Sequence, residues 1–298
     1  MTTLPALLLP PSPGRGVTLI AALLAGLSMM SAAHADIAPV SPAQCADMKA
    51  RKVITAANPV PCARLSRVSF DYTDFDGATR QGAVVVLDAV APQVESLFGE
   101  LLLRSFPLAG ARALEDFDGD DQRSMAANNS SAFNGRPMTG GGGWSKHAYG
   151  AAIDINPLQN PYVSQAGSSA QEVLPPKGSS YLQRTPAQAG MAEEVVSVFY
   201  DHGFLVWGGQ WKQPIDYQHF EIGSRGFIVR LASLPRAQAR AEFERYVAAY
   251  RRCAHPGVPG VPGVPGAPGA PAAATSDGDD DTAEDTTLRD QCAARLRK

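Results

Sequence analysis

The chain has 298 residues, 45% of them hydrophobic and 18% charged, with a formal net charge of −3. That is the composition of an ordinary globular protein with room for one large domain or two small ones. Six carboxylates fall between Asp277 and Asp285, so the rest of the chain is close to neutral, and no basic footprint for nucleic acid exists.

Met1 to Ala35 carries one charge, Arg15, and an apolar run from Val17 to Met30 that is too short to span a bilayer comfortably. Ala33-His34-Ala35 then supplies an A-x-A cleavage pattern. Residues 1–35 read as a secretory signal peptide, with the mature chain starting near Asp36; a retained membrane anchor is the rival. A periplasmic or secreted protein with no stable membrane insertion is expected. The four cysteines, Cys45, Cys62, Cys253 and Cys292, fit two disulfides in an exported chain. Of three pairings, Cys45 with Cys62 and Cys253 with Cys292 is the simplest. A four-cysteine zinc site is the rival, but no Cys-x-x-Cys pair is present.

Asp36 to Leu65 is mixed in pattern. Val68 to Tyr72 alternates as a strand does, the Asp74–Gly77 turn follows, and Gly82 to Leu87 reads as its hairpin partner. Val94, Leu97, Phe98, Leu101 and Leu102 recur at helical spacing between Pro92 and Pro107, with one apolar face for the sheet. Leu114 to Gly143 has a loop's composition. Asp116, Asp118, Asp120 and Asp121 lack the closing Glu of a calcium loop and read as a solvated acidic turn. Gly140 to Gly143 suits either a mobile substrate lip or a plain connector. Ala151 to Ile155 reads as a buried strand with Asp154 at its end, and Tyr162 to Ser180 as an irregular surface excursion. A helix is expected from Thr185-Pro186, with Met191, Val195, Val198 and Phe199 inside and Gly203 ending it. Phe204 to Trp207 and Tyr217 to Ile222 form a strand pair, and Ala237 to Arg252 the last helix. The globular domain is thus 36–254. Residues 255–287 hold a Gly-x-Pro repeat and the acidic run, expected as an extended, disordered linker, and 288–298 form a basic tail.

Two stretches carry chemistry. Ser145-Lys-His147-Ala-Tyr149-Gly-Ala-Ala-Ile-Asp154 offers a histidine and an aspartate. Trp207-Gly-Gly-Gln-Trp211-Lys-Gln-Pro-Ile-Asp216-Tyr-Gln-His219-Phe-Glu221 answers with a second histidine and a carboxylate three residues before it. His147, Asp154 and His219 are candidate ligands of one zinc ion per chain. Asp216 is the candidate general base for a water in the fourth position. Glu221, two residues from His219, competes for that role but fits a supporting group better. His202 falls at a helix end, where a cation complements the dipole.

These residues, with Asn129-x-Ser131-Ala-Phe133-x-x-Arg136 upstream, resemble the D-Ala-D-Ala carboxypeptidase and L-Ala-D-Glu endopeptidase family of zinc peptidases, over about Val68 to Ile222. The resemblance implies a hedgehog/DD-peptidase-like α+β fold, a small antiparallel sheet flanked by helices. It also implies a hydrolase acting on peptidoglycan peptides, most directly as a D-alanyl-D-alanine carboxypeptidase; separately, a monomer is expected. The L-Ala-D-Glu endopeptidase is the alternative within the class. An inactive cell-wall-binding module is the alternative outside it. Arg136 matches the family arginine that holds a substrate carboxylate or steadies the oxyanion. Ser145, Tyr149 and Trp207 are candidates for contact with substrate.

Overall fold

In a computed structural model the chain is described over residues 1–2, 35–257 and 283–297. The expected signal peptide, and the Gly-x-Pro repeat with most of the acidic run, lie outside the described residues. Strand β1 (Ala35–Pro39) leads into helix α1 (Pro42–Ala50), which Ser41 caps by accepting the Gln44 amide at 3.1 Å. Strands β2 (Leu65–Thr73) and β3 (Thr79–Leu87) form the expected hairpin, and β1 extends it to an antiparallel sheet of order β1-β2-β3. At its turn the Asp74 carboxylate accepts the amides of Asp76 and Ala78. Helix α2 (Ala91–Leu103) lays Val94, Leu97, Phe98 and Leu101 on this sheet. The Phe98 ring stacks on Phe70 with centroids 3.7 Å apart; burying such a side chain contributes about 1.5–3 kcal/mol.

The region expected as loop from Leu114 contains a 3₁₀ turn, Leu114–Phe117, and helix α3 (Asp121–Ala126). Asp120 caps α3 by accepting the Arg123 amide at 3.0 Å. The acidic run is met by arginines: Asp118 pairs with Arg51 and Arg123, and Asp121 with Arg136.

The expected single small sheet resolves into three antiparallel sheets of three strands, so the fold is a mixed α+β arrangement. Strand β4 (Ala152–Asp154) is followed by β5 (Tyr162–Ser164) and β6 (Glu172–Leu174). These last two replace the irregular excursion expected there; three-residue strands are too short to show a period in sequence. Helix α4 (Val196–Asp201) also departs from expectation. It begins ten residues after Pro186, behind a 3₁₀ turn at Ala192–Val195. Gly190 interrupts any earlier start at φ +81°, and its carbonyl is taken by the side-chain amides of Asn156 and Asn160. The inner residues Met191, Val195, Val198 and Phe199 are buried as expected. Strands β7 (Val206–Trp207), β8 (Ile215–Asp216) and β9 (His219–Glu221) complete the sheets β4-β9-β7 and β6-β5-β8.

Helix α5 (Arg225–Ser233), unforeseen in the sequence, and α6 (Arg236–Ala254) close the domain. Helix α7 (Ala283–Leu296) starts inside the stretch expected as linker and packs against α6. The disulfides are Cys45–Cys62 and Cys253–Cys292, the local pairing. Among the described residues no helix is long and apolar enough to cross a membrane.

Candidate metal centre

His147 is set by a turn that the sequence writes residue by residue. The loop from Arg136 closes on itself through the Pro137–Trp144 bridge and returns at Ser145. Ser145 Oγ accepts the His147 amide at 3.3 Å, starting a 3₁₀ turn over Lys146–Tyr149. Gly150 ends that turn at φ +68°, and a Cβ there would lie 2.4 Å from the Leu87 amide nitrogen. Only glycine lets the turn sit against β3. The His147 ring then places Nδ1 2.6 Å from the Ala132 carbonyl. A carbonyl only accepts, so Nδ1 carries the hydrogen and Nε2 keeps its lone pair.

Asp154 ends β4, and its backbone exchanges both hydrogen bonds with Ser131, at 2.8 and 2.9 Å. The next turn is pinned by buried Asn156, whose side chain binds Pro107, Ala109 and Gly190. Opposite Asp154 in the β4–β9 register stands His219, and directly paired residues share a face of the sheet. Glu221, two residues on, shares it too. Its Oε2 lies 3.0 Å from His219 Nε2, and its Oε1 pairs with Lys146 Nζ, which also donates to the Gly223 carbonyl at 3.0 Å. Glu221 therefore takes the Nε2 hydrogen, and the lone pair on His219 Nδ1 faces inward.

Three acceptors thus converge with no donor between them. His147 Nε2 is 3.0 Å from His219 Nδ1 and 3.2 Å from Asp154 Oδ2, and His219 Nδ1 is 3.0 Å from Asp154 Oδ1. These three residues are the one group of described side chains whose atoms converge tightly enough to hold a metal ion. The electrostatics agree. Burial would push the Asp154 carboxyl up, but His147 and His219 hold it well below the usual range. Burial also works against a charged His219, yet Asp154 and Glu221 raise it to about 10. A cation is required here, either a proton or a metal. Two nitrogens and a carboxylate are a zinc donor set, and the 3.0–3.2 Å separations approach the roughly 3.3 Å edge of a tetrahedron with ~2.0–2.1 Å bonds. Each outer ring nitrogen is already held, as ligating histidines require. No thiolate competes, because every cysteine is in a disulfide.

Asp216 is not one of the converging atoms. It ends β8, and its carboxylate accepts Gln218 Nε2 at 3.3 Å. Gly208 brings the preceding turn so close that a Cβ would lie 2.5 Å from the Asp216 carbonyl oxygen. Burial, helped by the charge of Asp154, pushes Asp216 up to about 6. Arg136 is partly exposed. Its Nε donates to Asp121 at 3.1 Å and its Nη1 to Pro137 and Thr139 at 3.4 Å. Ser145, expected at substrate, is the turn's cap. Tyr149 is packed in the core, and Trp207 is buried with its Nε1 donating to the Tyr217 carbonyl at 2.8 Å. The aromatic that meets the cluster is Trp211, with its ring 5.3 Å from His219. Glu221 lies against His219 Nε2 and pairs with Lys146.

His202 corrects an expectation. It is buried, with Nδ1 2.8 Å from the Val198 carbonyl and Nε2 3.2 Å from Ser96 Oγ. Burial lowers its pKa, so the ring is neutral rather than a cation at the helix end. Sequence reasoning also passed over Lys146 and the Ala132 carbonyl, because neither a lysine beside a histidine nor a backbone oxygen carries a signal.

Residues 139–222 match the family model described as D-alanyl-D-alanine carboxypeptidase. The match holds His147, Asp154, Asp216 and His219. It is narrower than the stretch from Val68 and begins just after Arg136. No curated protein and no solved structure matches the chain.

Proposed function

We propose that the chain is an exported zinc metallopeptidase that trims the stem peptides of bacterial peptidoglycan, first of all as a D-alanyl-D-alanine carboxypeptidase, a reading supported by the match of residues 139–222 to the family model of that description. The observation that carries this reading is the convergence of three acceptor atoms on a point with no donor. A hedgehog-like fold goes with the family, and two disulfides accord with an oxidising compartment, periplasmic or outside the cell.

His147, Asp154 and His219 would hold zinc, which when bound polarises a scissile carbonyl and acidifies a water. Asp216 is the base. Its carboxyl is pushed up to about 6, so near neutral pH it is ionised yet basic enough to take the water's proton and return it to the leaving amine. Glu221, charged and braced by Lys146, keeps the His219 ring in the tautomer and orientation the site needs. Arg136 is partly exposed and is the proposed partner of a substrate carboxylate.

Defined muropeptides incubated with the chain from Asp36 and analysed by mass spectrometry test this. Release of one terminal D-Ala is expected, abolished by chelator and in His219→Ala. A cut between L-Ala and D-Glu would make the protein an endopeptidase. A zinc-loaded protein that binds these peptides and yields no product would make it a wall-binding module.

A further inference from the structure

The sheet that carries Asp216 presents a second polar group on the same face. In the antiparallel register of β5 and β8, Tyr162 stands directly opposite Asp216, with Val163 opposite Ile215. Paired residues project to one side with Cβ atoms about 4.5–5.5 Å apart, and the alternation of the strand turns Val163, which is buried, the other way. Tyr162 and Asp216 are both partly exposed, so this is the open face of the sheet.

The surroundings of the Tyr162 ring are those of a site. Burial raises its phenol pKa, and the charges of Asp216 and Glu172 raise it further, while Arg136 acts in the opposite sense. The proposed base, the proposed carboxylate-binding arginine and Tyr162 are therefore near enough to feel one another. The hydroxyl makes no hydrogen bond within the described residues. In most proteins a half-buried tyrosine hydroxyl that nothing in the fold engages is simply wet; here it belongs to a row that ends in the candidate base.

We propose that Tyr162 is a catalytic residue of the peptidase reaction, its hydroxyl donating a hydrogen bond to the oxygen of the substrate carbonyl as charge develops there. The inference rests on the peptidase reading above. A neutral phenol at this place donates without adding a charge, and so complements Asp216, which accepts a proton, and Arg136, which carries a fixed positive charge. Removing one donor to a developing oxyanion costs about 10²-fold in kcat. The ground-state carbonyl bonds the hydroxyl more weakly, so KM should move little.

Tyr162→Phe keeps the ring and deletes the donor. It is compared with the parent for kcat and KM on a muropeptide, for dissociation constant toward the same peptide by calorimetry, and for zinc content and Tm. A fall in kcat of about 10²-fold, with KM, zinc and Tm unchanged, supports the assignment. A kcat within threefold of the parent overturns it, and so does a loss confined to KM. A lowered Tm or zinc content would make Tyr162 structural and also overturns it. If the parent cleaves nothing, the peptidase reading fails. The assignment then falls with it, whereas a parent that cleaves and a Tyr162→Phe that cleaves equally well overturn the assignment alone.

Discussion

Two three-stranded sheets of almost the same size face opposite demands. In β4-β9-β7 the strands are buried: Ala152, Ile153 and Phe220 are fully enclosed, and His219 and Glu221 nearly so. Every ring nitrogen there has a named neighbour, and Asp154 is fixed through both its backbone and its carboxylate. In β6-β5-β8 only Val163 is buried, and Asp216 and Tyr162 stand partly open. The first sheet, with the turn that carries His147, removes freedom from three acceptors around a point that could hold an ion. The second leaves the proposed base and the Tyr162 hydroxyl partly open to solvent. On the proposed function, holding and reacting fall to separate pieces of backbone, and each should be breakable without the other.

The largest break is expected at Asp216. Asp216→Asn should lower kcat by about 10²–10⁴-fold while the protein keeps its full metal content by elemental analysis, because Asp216 is not among the three converging atoms. Loss of metal together with activity would put Asp216 among the ligands and erase the distinction between the sheets. A smaller effect is expected at Glu221. Glu221→Gln keeps the size of the side chain but removes the charge that fixes the Nε2 hydrogen of His219. Metal affinity, measured by competition with a chelator, should fall about 10–100-fold, with kcat of the saturated enzyme less affected. Unchanged affinity would mean that Glu221 only packs.

The same contrast explains what could be seen in the sequence. His147, Asp154 and His219 were legible because a metal demands particular residue types and a glycine turn demands Gly150. Strand β4 was legible because a buried strand reads as an apolar run, whereas β9 shows only Phe220 and Ile222 alternating with His219 and Glu221. The hairpin of β2 and β3 and the helix α2 follow from periods of two and of 3.6 residues carried over nine to thirteen positions. The sheet β6-β5-β8 was hidden for the opposite reason. Its strands are two or three residues long and half open; β5 pairs with β6 across a short loop, but with β8 across more than fifty residues of chain. No local pattern specifies them; what joins β5 to β8 is the tertiary placement of Val163 and Ile215. Helix α5 was missed because its apolar residues stand beside Arg225 and Arg230, and its capping signal, Ser224 accepting the Phe227 amide at 3.3 Å, is a single residue. The late start of α4 turns on Gly190, whose carbonyl is claimed by two asparagines thirty and thirty-four residues upstream.

His202 sharpens the comparison from outside both sheets. It is as buried as His147 and His219, but its neighbours are a carbonyl and a hydroxyl rather than a second imidazole and a carboxylate in contact. The charged groups around it are Arg251 of α6, Glu100 of α2, 3.9 Å away, and Asp201 of its own helix. Burial outweighs the acids and lowers its pKa, whereas at His219 the acids outweigh burial. The consequence for stability has a definite sign. Above a pH of about 6.5, the ordinary value for histidine, the ring is neutral in both the folded and the unfolded chain and contributes no pH dependence. As pH falls below that value the unfolded chain binds a proton that the folded chain refuses, so stability declines, by at most about 1.4 kcal/mol per pH unit, until the folded pKa is passed. Urea unfolding at pH 7.5 and 5.5 should therefore show a smaller loss in His202→Gln than in the parent, with the histidines of the metal centre contributing equally to both. An equal loss would mean that the fold admits the proton at His202, and that burial alone does not keep a histidine neutral in this protein.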